Sequence, residues 1–234
     1  MPHSSLPEPP ELTAPPELTA PPERVAPPER LVVATANSGK LREFRSLLAG
    51  LPFELTSLAE LNLSSPEETG TSFLENALLK ARHAAAASGG AAVADDSGLE
   101  VDFLGGAPGI YSARYAGLEA DDRANNAKLM SELTGVPPGQ RGARYRCALV
   151  FLEAAGAAPL AAEADWQGFI LDAPRGSGGF GYDPYFWLPE LNRTAAELAP
   201  EEKNRLSHRG KAMRALRELL LGRGSGRSSL GYQA

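Results

Sequence analysis

Residues 31–40, Leu31-Val32-Val33-Ala34-Thr35-Ala36-Asn37-Ser38-Gly39-Lys40, decide the class of fold. Four apolar residues in a row, without alternation, fit a short strand covered on both faces. The polar turn that follows interrupts the run. From Lys40 the period changes: Leu41, Phe44 and Leu48 fall on one face of a helix reaching about Ala49. A buried strand that feeds a helix through a polar turn is the repeating unit of α/β folds.

Similar signals recur downstream. Ser72 and Glu75 have the spacing of a capping box for a helix reaching about Ser88, and Gly89-Gly90 stops it. Ala91 to Ala94 reads as a second buried strand. It is expected to end at Asp95-Asp96, with Ser97-Gly98 as the turn. Leu99, Val101 and Phe103 then alternate, as in a strand with one dry face. Asp121 or Asp122 can cap a helix ending near Thr134, where Gly135 terminates it. Arg144 to Glu153 and Ala161 to Asp172 read as two longer strands that can pair as a meander. Thr194 and Glu197 suggest a short capped helix. Ser207 opens a last one, with Met213, Leu216, Leu219 and Leu220 as its core face. Strands and helices intermix, which predicts an α/β or α+β fold with a mixed sheet.

Upstream the composition changes. Pro-Pro-Glu-Leu-Thr-Ala occurs at 9–14 and 15–20, drifts to Pro-Pro-Glu-Arg-Val-Ala at 21–26, and ends as Pro-Pro-Glu-Arg at 27–30. Paired prolines at this period favour extended polyproline II and bury little, so residues 1–29 read as a disordered or semi-rigid arm. A docking peptide for a proline-reading partner is the alternative. The Gly-, Ser- and Arg-rich end reads as a loose tail, leaving 30–222 as the domain and 223–234 as the tail.

The chain has 234 residues, 43% of them hydrophobic, enough for one substantial domain. No apolar run approaches the roughly 18–20 residues that span a bilayer, and no secretory signal is visible. A formal net charge of -6 argues against broad nucleic-acid binding, which needs a basic face. It does not argue against a phosphate ligand in a cleft lined by a few lysines. The single cysteine, Cys147, excludes an intrachain disulfide and fits a reducing cytoplasm.

Five polar clusters carry the chemistry. Thr35 to Lys40 lies where unpaired helix N-terminal amides face anions. Gly39 permits close approach and Lys40 adds charge. The Walker A spacing is absent, and an ordinary polar turn is the plain alternative. Glu67-Glu68 precedes a helix and can either complement its dipole or ligate a hard cation. Lys80 lies on that helix. Asp95-Asp96-Ser97-Gly98 puts two carboxylates at an expected strand end, where one can hold a metal while the other takes a proton from water. A solvated turn is the alternative. Gly176 to Asp183 exposes Phe180 and Tyr182 among glycines, and such a ring can stack on a base or fill the core. Asp183 can order that loop or bond a ligand. Ser207-His208-Arg209 offers donors suited to a phosphate or a carbonyl oxygen, and Lys203 lies one turn earlier.

Taken together, Ala34-Thr-Ala-Asn-Ser-Gly-Lys40, Glu68-Thr-Gly70, Phe73-Leu-Glu-Asn-Ala77, Lys80-Ala-Arg82 and Ala94-Asp-Asp-Ser-Gly-Leu99 make a recognisable order. So do Gly105-Gly-Ala-Pro-Gly-Ile-Tyr-Ser-Ala-Arg-Tyr115, Gly178-Gly-Phe-Gly-Tyr-Asp-Pro184 and Leu206-Ser-His-Arg-Gly210. Over about residues 31–221 the chain resembles the inosine triphosphate pyrophosphatase family, the RdgB-like non-standard purine NTP pyrophosphatases. The proline-rich arm is extra to that pattern.

The resemblance implies a two-lobed, elongated α/β fold, with a mixed β-sheet flanked by helices and a central nucleotide cleft. It implies a cytoplasmic homodimer that hydrolyses ITP, dITP or XTP to the monophosphate and pyrophosphate with Mg²⁺. It makes Asp96 the proton acceptor that activates water, and Glu68 and Asp96 the metal ligands. Thr35, Asn37 and Lys40, within the loop Thr35, Ala36, Asn37, Ser38, Gly39, Lys40, would hold the triphosphate with Lys80 and Lys203. Ser97 would also touch substrate. Phe180 would stack on the purine. Tyr182, Asp183, His208 and Arg209, with Gly181 in the same loop, would read its edge. Donors facing the 6-keto oxygen would reject the amino group of adenine. Two other readings stay open: a broader pyrophosphatase for modified nucleotides, and a nucleotide sensor that binds without hydrolysis.

Overall fold

The computed structural model describes residues 29–227. The chain enters β1 (Glu29–Val33), turns into α1 (Ser38–Leu47), and returns through β2 (Phe53–Ser57) to α2 (Phe73–Ser88). Next come β3 (Ala91–Val101), a 3₁₀ turn at Gly109–Arg114, α3 (Asp122–Glu132), β4 (Gly142–Leu152) and β5 (Leu160–Ile170). The short strands β6 (Phe186–Leu188) and β7 (Arg193–Thr194) precede α4 (Pro200–Leu206) and α5 (His208–Arg227). Apart from Glu29, which opens β1, the proline-rich segment expected to form an arm lies outside the described residues.

One mixed sheet of seven strands organises these elements, in the order β2-β1-β3-β4-β5-β6-β7. The pairs β1–β2 and β1–β3 are parallel, and every pair from β3 to β7 is antiparallel. Alternation along the strands sends side chains to two faces. Leu31, Val33, Ala91, Val93, Cys147 and Leu149 meet Phe44 and Leu48 of α1 and Met213 and Leu216 of α5. Val32, Ala34, Ala92, Ala94, Ala148 and Val150 meet the alanine-rich face of α2. The far halves of β3, β4 and β5 carry a separate core of Leu99, Val101, Tyr145, Trp166 and Phe186 under α3. The one sheet runs through all three cores.

Local chemistry sets the helix ends. The Asn37 side chain accepts from the Lys40 amide, so α1 starts at Ser38, two residues earlier than the apolar period suggests. Ser72 caps α2 through the Glu75 amide, and Gly89 ends that helix with φ 71°. Asp121 caps α3, and the capping box of Thr194 with Glu197 is complete.

Four expectations need correction. Asp95 to Gly98 is not a turn: β3 runs through it unbroken, with Asp95 opposite Leu149 and Asp96 opposite Ala148. Leu99 and Val101 continue the same strand, and Phe103 lies beyond its end, half exposed. On α5, Met213 and Leu216 are buried as expected, but Leu219 is exposed. That helix also continues through Gly222 to Arg227, into the stretch read as a tail. Extension of an existing helix fixes one residue per added bond, so weak formers can be carried along.

Candidate active site

The strand order places the site. The chain passes from β1 to β2 through α1 on one face, and from β2 to β3 through α2 on the other. The crevice between β1 and β3 is therefore the switch point of the parallel part of the sheet. The β1–β3 ladder ends at Val33 and Val93. Beyond it, Asp95 to Gly98 has β4 on one side and, among the described residues, no strand on the other. The loop Thr35–Asn37 lies at this opening, with Ala36, Asn37 and Ser38 exposed. Gly98 keeps the edge narrow: a Cβ there would stand 2.4 Å from the Ser112 hydroxyl and the Gly109 carbonyl. The Ser112 hydroxyl accepts from the Leu99 amide at 2.9 Å and pins the 3₁₀ turn to the strand.

Asp96 points to the α2 face. Its Oδ1 accepts from Lys80 Nζ at 2.7 Å, and its Oδ2 from Asn76 Nδ2 at 3.2 Å. Lys80 Nζ also donates to Glu68 Oε1 at 2.8 Å, and Arg114 NH1 donates to Glu68 Oε2 at 2.7 Å. Asn76 holds the Gly70 amide through its own oxygen, which fixes the Glu68–Gly70 segment beside the helix start. Burial raises the Asp96 carboxyl above the ordinary aspartate range, and Glu68 adds to that. Lys80 and Lys40 oppose the shift only in part. Burial also acts to raise Glu68, but Lys80 and Arg114 outweigh it and hold that group low.

Asp95 points to the opposite face and is fully buried. Lys40 Nζ lies 2.8 Å from Oδ1, and Arg209 Nε donates to Oδ2 at 2.9 Å. Burial acts to raise this carboxyl, yet Arg209, Lys40 and Lys80 drive it far below the ordinary range. Arg209 also donates to Ser97 Oγ at 2.7 Å and to Glu43. Glu43 in turn lies 3.1 Å from Lys203 Nζ, which sits 2.5 Å from Asp183 Oδ2. The result is a continuous chain of ion pairs from Lys40 to Lys203, with Asp95, Arg209, Asp183 and Lys203 buried and Lys40 and Glu43 partly exposed.

Above it opens a cavity of about 280 Å³. Asn37, Lys40, Ser97, Phe180, Lys203 and His208 are among its walls. The Phe180 ring lies 4.5 Å from Lys203 Nζ and packs on Gly39, where a Cβ would come within 2.6 Å of it. Gly39 therefore makes room for an aromatic ring. Asp183 orders the loop: it accepts from the Phe180 amide, the Tyr145 hydroxyl and Lys203. Tyr182 is buried, and its hydroxyl donates to the Ser112 carbonyl. α3 clamps the loop tip, with Asp122 accepting from the Gly181 amide at 2.7 Å and Asn126 donating to the Gly181 carbonyl at 2.9 Å. His208 stacks on Tyr145 with centroids 4.7 Å apart, and its Nδ1 is buried with no partner among the described residues. Burial, reinforced by Arg209 and Lys203, lowers its pKa well below the usual value, so the ring is neutral.

A hard cation needs carboxylate oxygens converging on one point, with water and substrate completing its shell. Glu68 and Asp96 meet that condition, since one ammonium bonds both. No cluster of three or more His, Cys, Asp or Glu suited to a metal occurs among the described residues. The pair therefore fits a Mg²⁺ that shares its coordination with a ligand. Asp95 faces the other side of the sheet, paired with Lys40 and Arg209, and does not converge with them.

The site residues expected from the sequence form two groups, one on each face of β3. Glu68, Lys80 and Asp96 gather on the α2 face. Asn37, Lys40, Ser97, Phe180, Gly181, Tyr182, Asp183, Lys203, His208 and Arg209 line the cavity. Thr35 is buried at the loop, where its hydroxyl accepts from the Asn37 amide. The sequence does not single out Glu43, Asn126 or Tyr145; Asn76 lies within a quoted motif, and Asp122 reads only as a possible cap. Their roles arise from contacts distant along the chain. Arg114 sat within a quoted motif without a role.

The Ham1 family model matches residues 31–219. A "dITP/XTP pyrophosphatase" of Pectobacterium atrosepticum is 54% identical over 191 residues, covering 81% of this chain and 97% of that protein. A protein of the same name from Escherichia coli O157:H7 is 52% identical over 191 residues, with the same coverages. The solved structure of a HAM1 protein from Coxiella burnetii superposes with a TM-score of 0.76 at 43% identity, covering 83% of this chain and 99% of that one.

Proposed function

The chain belongs to the Ham1 family, and on that premise we propose that it hydrolyses non-standard purine nucleoside triphosphates, ITP, dITP and XTP, to the monophosphate and pyrophosphate. One observation carries the chemistry: a carboxylate with a raised pKa, Asp96, stands beside a second, Glu68, at the open edge of a strand whose other face borders a base-sized cavity.

The residues divide the work. Phe180 offers its ring to the purine, and the neutral His208 meets the keto edge. Lys40 and Lys203, at the cavity wall, exchange carboxylate partners for phosphate oxygens. Asp96 takes a proton from the attacking water, and its raised basicity suits that role. The water oxygen bonds to the α-phosphorus, the bond from that phosphorus to the bridging oxygen breaks, and the bridging oxygen leaves with pyrophosphate. Glu68 and Asp96 would hold Mg²⁺, which when bound neutralises charge on the polyphosphate. Phe180 and the lysines act by position, with no covalent intermediate.

The proposal includes a homodimer in the cytoplasm, supported by the family resemblance; light scattering of the purified chain checks the dimer. Incubation with ITP and Mg²⁺ tests the reaction. IMP and pyrophosphate in equal amounts are expected, and release of orthophosphate as the first product would overturn it.

A further inference from the structure

Hydrolysis as proposed leaves one cation without a task. Arg114 ends the 3₁₀ turn Gly109–Arg114, and its guanidinium holds Glu68 Oε2 at 2.7 Å while Lys80 holds Oε1 at 2.8 Å. Both oxygens of a metal-competent carboxylate are thus taken by cations. The charges balance: Glu68 and Asp96 contribute two negatives, Lys80 and Arg114 two positives. A divalent ion arriving alone meets a pair already neutralised.

The two cations are not held alike. Lys80 is buried between Glu68, Asp96 and the body of α2. Arg114 keeps 23% of its side-chain exposure and rests its guanidinium carbon 5.3 Å from the ring of Tyr111, itself exposed. Glu68 is the one carboxylate it pairs with among the described residues. Arg114 can therefore leave Glu68 at small cost, provided another anion receives it. Guanidinium donors fit phosphate oxygens as well as carboxylates. The same turn puts Ser112 and Ala113 on the cavity wall, so one short segment joins the base pocket to the acid pair.

Resting on the functional reading above, we propose that Arg114 binds the polyphosphate of the substrate, and that in the free enzyme it occupies Glu68 as a stand-in for the metal. Entry of a metal–nucleotide complex exchanges partners: Glu68 is released to the metal, and the guanidinium moves to a phosphate oxygen. No covalent bond is made or broken; Glu68 trades its ion pair with Arg114 for coordination to the metal. Arg114 then does two opposed things, competing with free metal and attracting the metal-bound substrate.

The opposition makes the test. In Arg114→Gln the affinity for Mg²⁺ alone, read by calorimetry without nucleotide, is expected to rise about three- to tenfold, because the competitor for Glu68 is gone. In the same variant kcat/KM for ITP is expected to fall about 10- to 100-fold, chiefly through KM. Arg114→Lys keeps the charge and should restore part of kcat/KM and return the metal affinity to within about twofold of the parent. A residue that merely props Glu68 in place would lower both quantities when removed. Metal affinity unchanged or weakened in Arg114→Gln, or kcat/KM retained, overturns the proposal. A Gln variant that fails to fold hands the decision to Arg114→Lys, where undiminished kcat/KM would count against it and a partial loss for it. Failure of the unaltered protein to release pyrophosphate would sink the functional reading instead, and the metal titration would still decide whether Arg114 competes.

Discussion

Asp95 and Asp96 are consecutive in β3 and face opposite sides of the sheet, and their surroundings shift the two carboxyl pKa values in opposite directions, Asp95 down and Asp96 up. The difference comes from their counter-ions. Asp95 meets Arg209 and Lys40 on one side, while Asp96 shares Lys80 with Glu68 on the other. Two adjacent acids thereby differ: Asp95 anchors an ion network, and Asp96 keeps the raised basicity that the proposed proton transfer needs.

Asp96→Asn keeps the shape and the Asn76 and Lys80 neighbours but removes the proton acceptor. Turnover of ITP is expected to fall by about 10²- to 10⁴-fold, with nucleotide binding retained. Steady-state kinetics paired with equilibrium binding checks this, and a full-rate variant would dismiss Asp96 as the base.

Gly39→Ala drives a methyl into the Phe180 ring, 2.6 Å away. The ring must move, so KM should rise nearly as far as in Phe180→Ala, by about 10-fold or more given the worth of base stacking. Combined, the two changes should cost little more than either alone, because they remove the same contact. Additive losses would show that Gly39 acts on the ligand directly.

Glu43→Gln takes a carboxylate from both Lys203 and Arg209. Arg209 is fully buried, and depriving such a group of part of its compensation costs about 3–5 kcal/mol. Denaturant unfolding measures it, and a loss under about 1 kcal/mol would mean that Asp95 suffices.

His208 gives the pH signature. Its folded pKa lies well below 6.5, so the unfolded chain binds the extra proton first. The stability tied to the neutral ring is therefore full above pH 6.5 and drains as pH falls below it, by up to about 1.4 kcal/mol per pH unit. His208→Gln should flatten that part of the stability curve. An unchanged slope between pH 6.5 and 5 would contradict the buried neutral ring.

Much of this was written locally. The strand–turn–helix of residues 31–48, the capping pair Ser72 and Glu75, the β4–β5 meander and the grouping of site residues were all legible, because each depends on near neighbours or on a recognisable order of motifs. Asp95 to Gly98 was misread for a physical reason. Asp, Ser and Gly favour turns, but ten residues of pairing with β4 and the three cations Lys40, Lys80 and Arg209 override that preference. Glu43, Asn76 and Arg114 were silent for a related reason: each looks like a solvated polar residue until a partner 20 to 166 positions away is placed beside it.

The grip of α3 on the Gly181 peptide has a dynamic corollary. Amide and carbonyl are both fastened to one helix, so the aromatic flap has no hinge of its own. If Phe180 stacks on the base as proposed, rocking of that helix away from the sheet would pull on the Gly181 peptide beside the ring and loosen the stack.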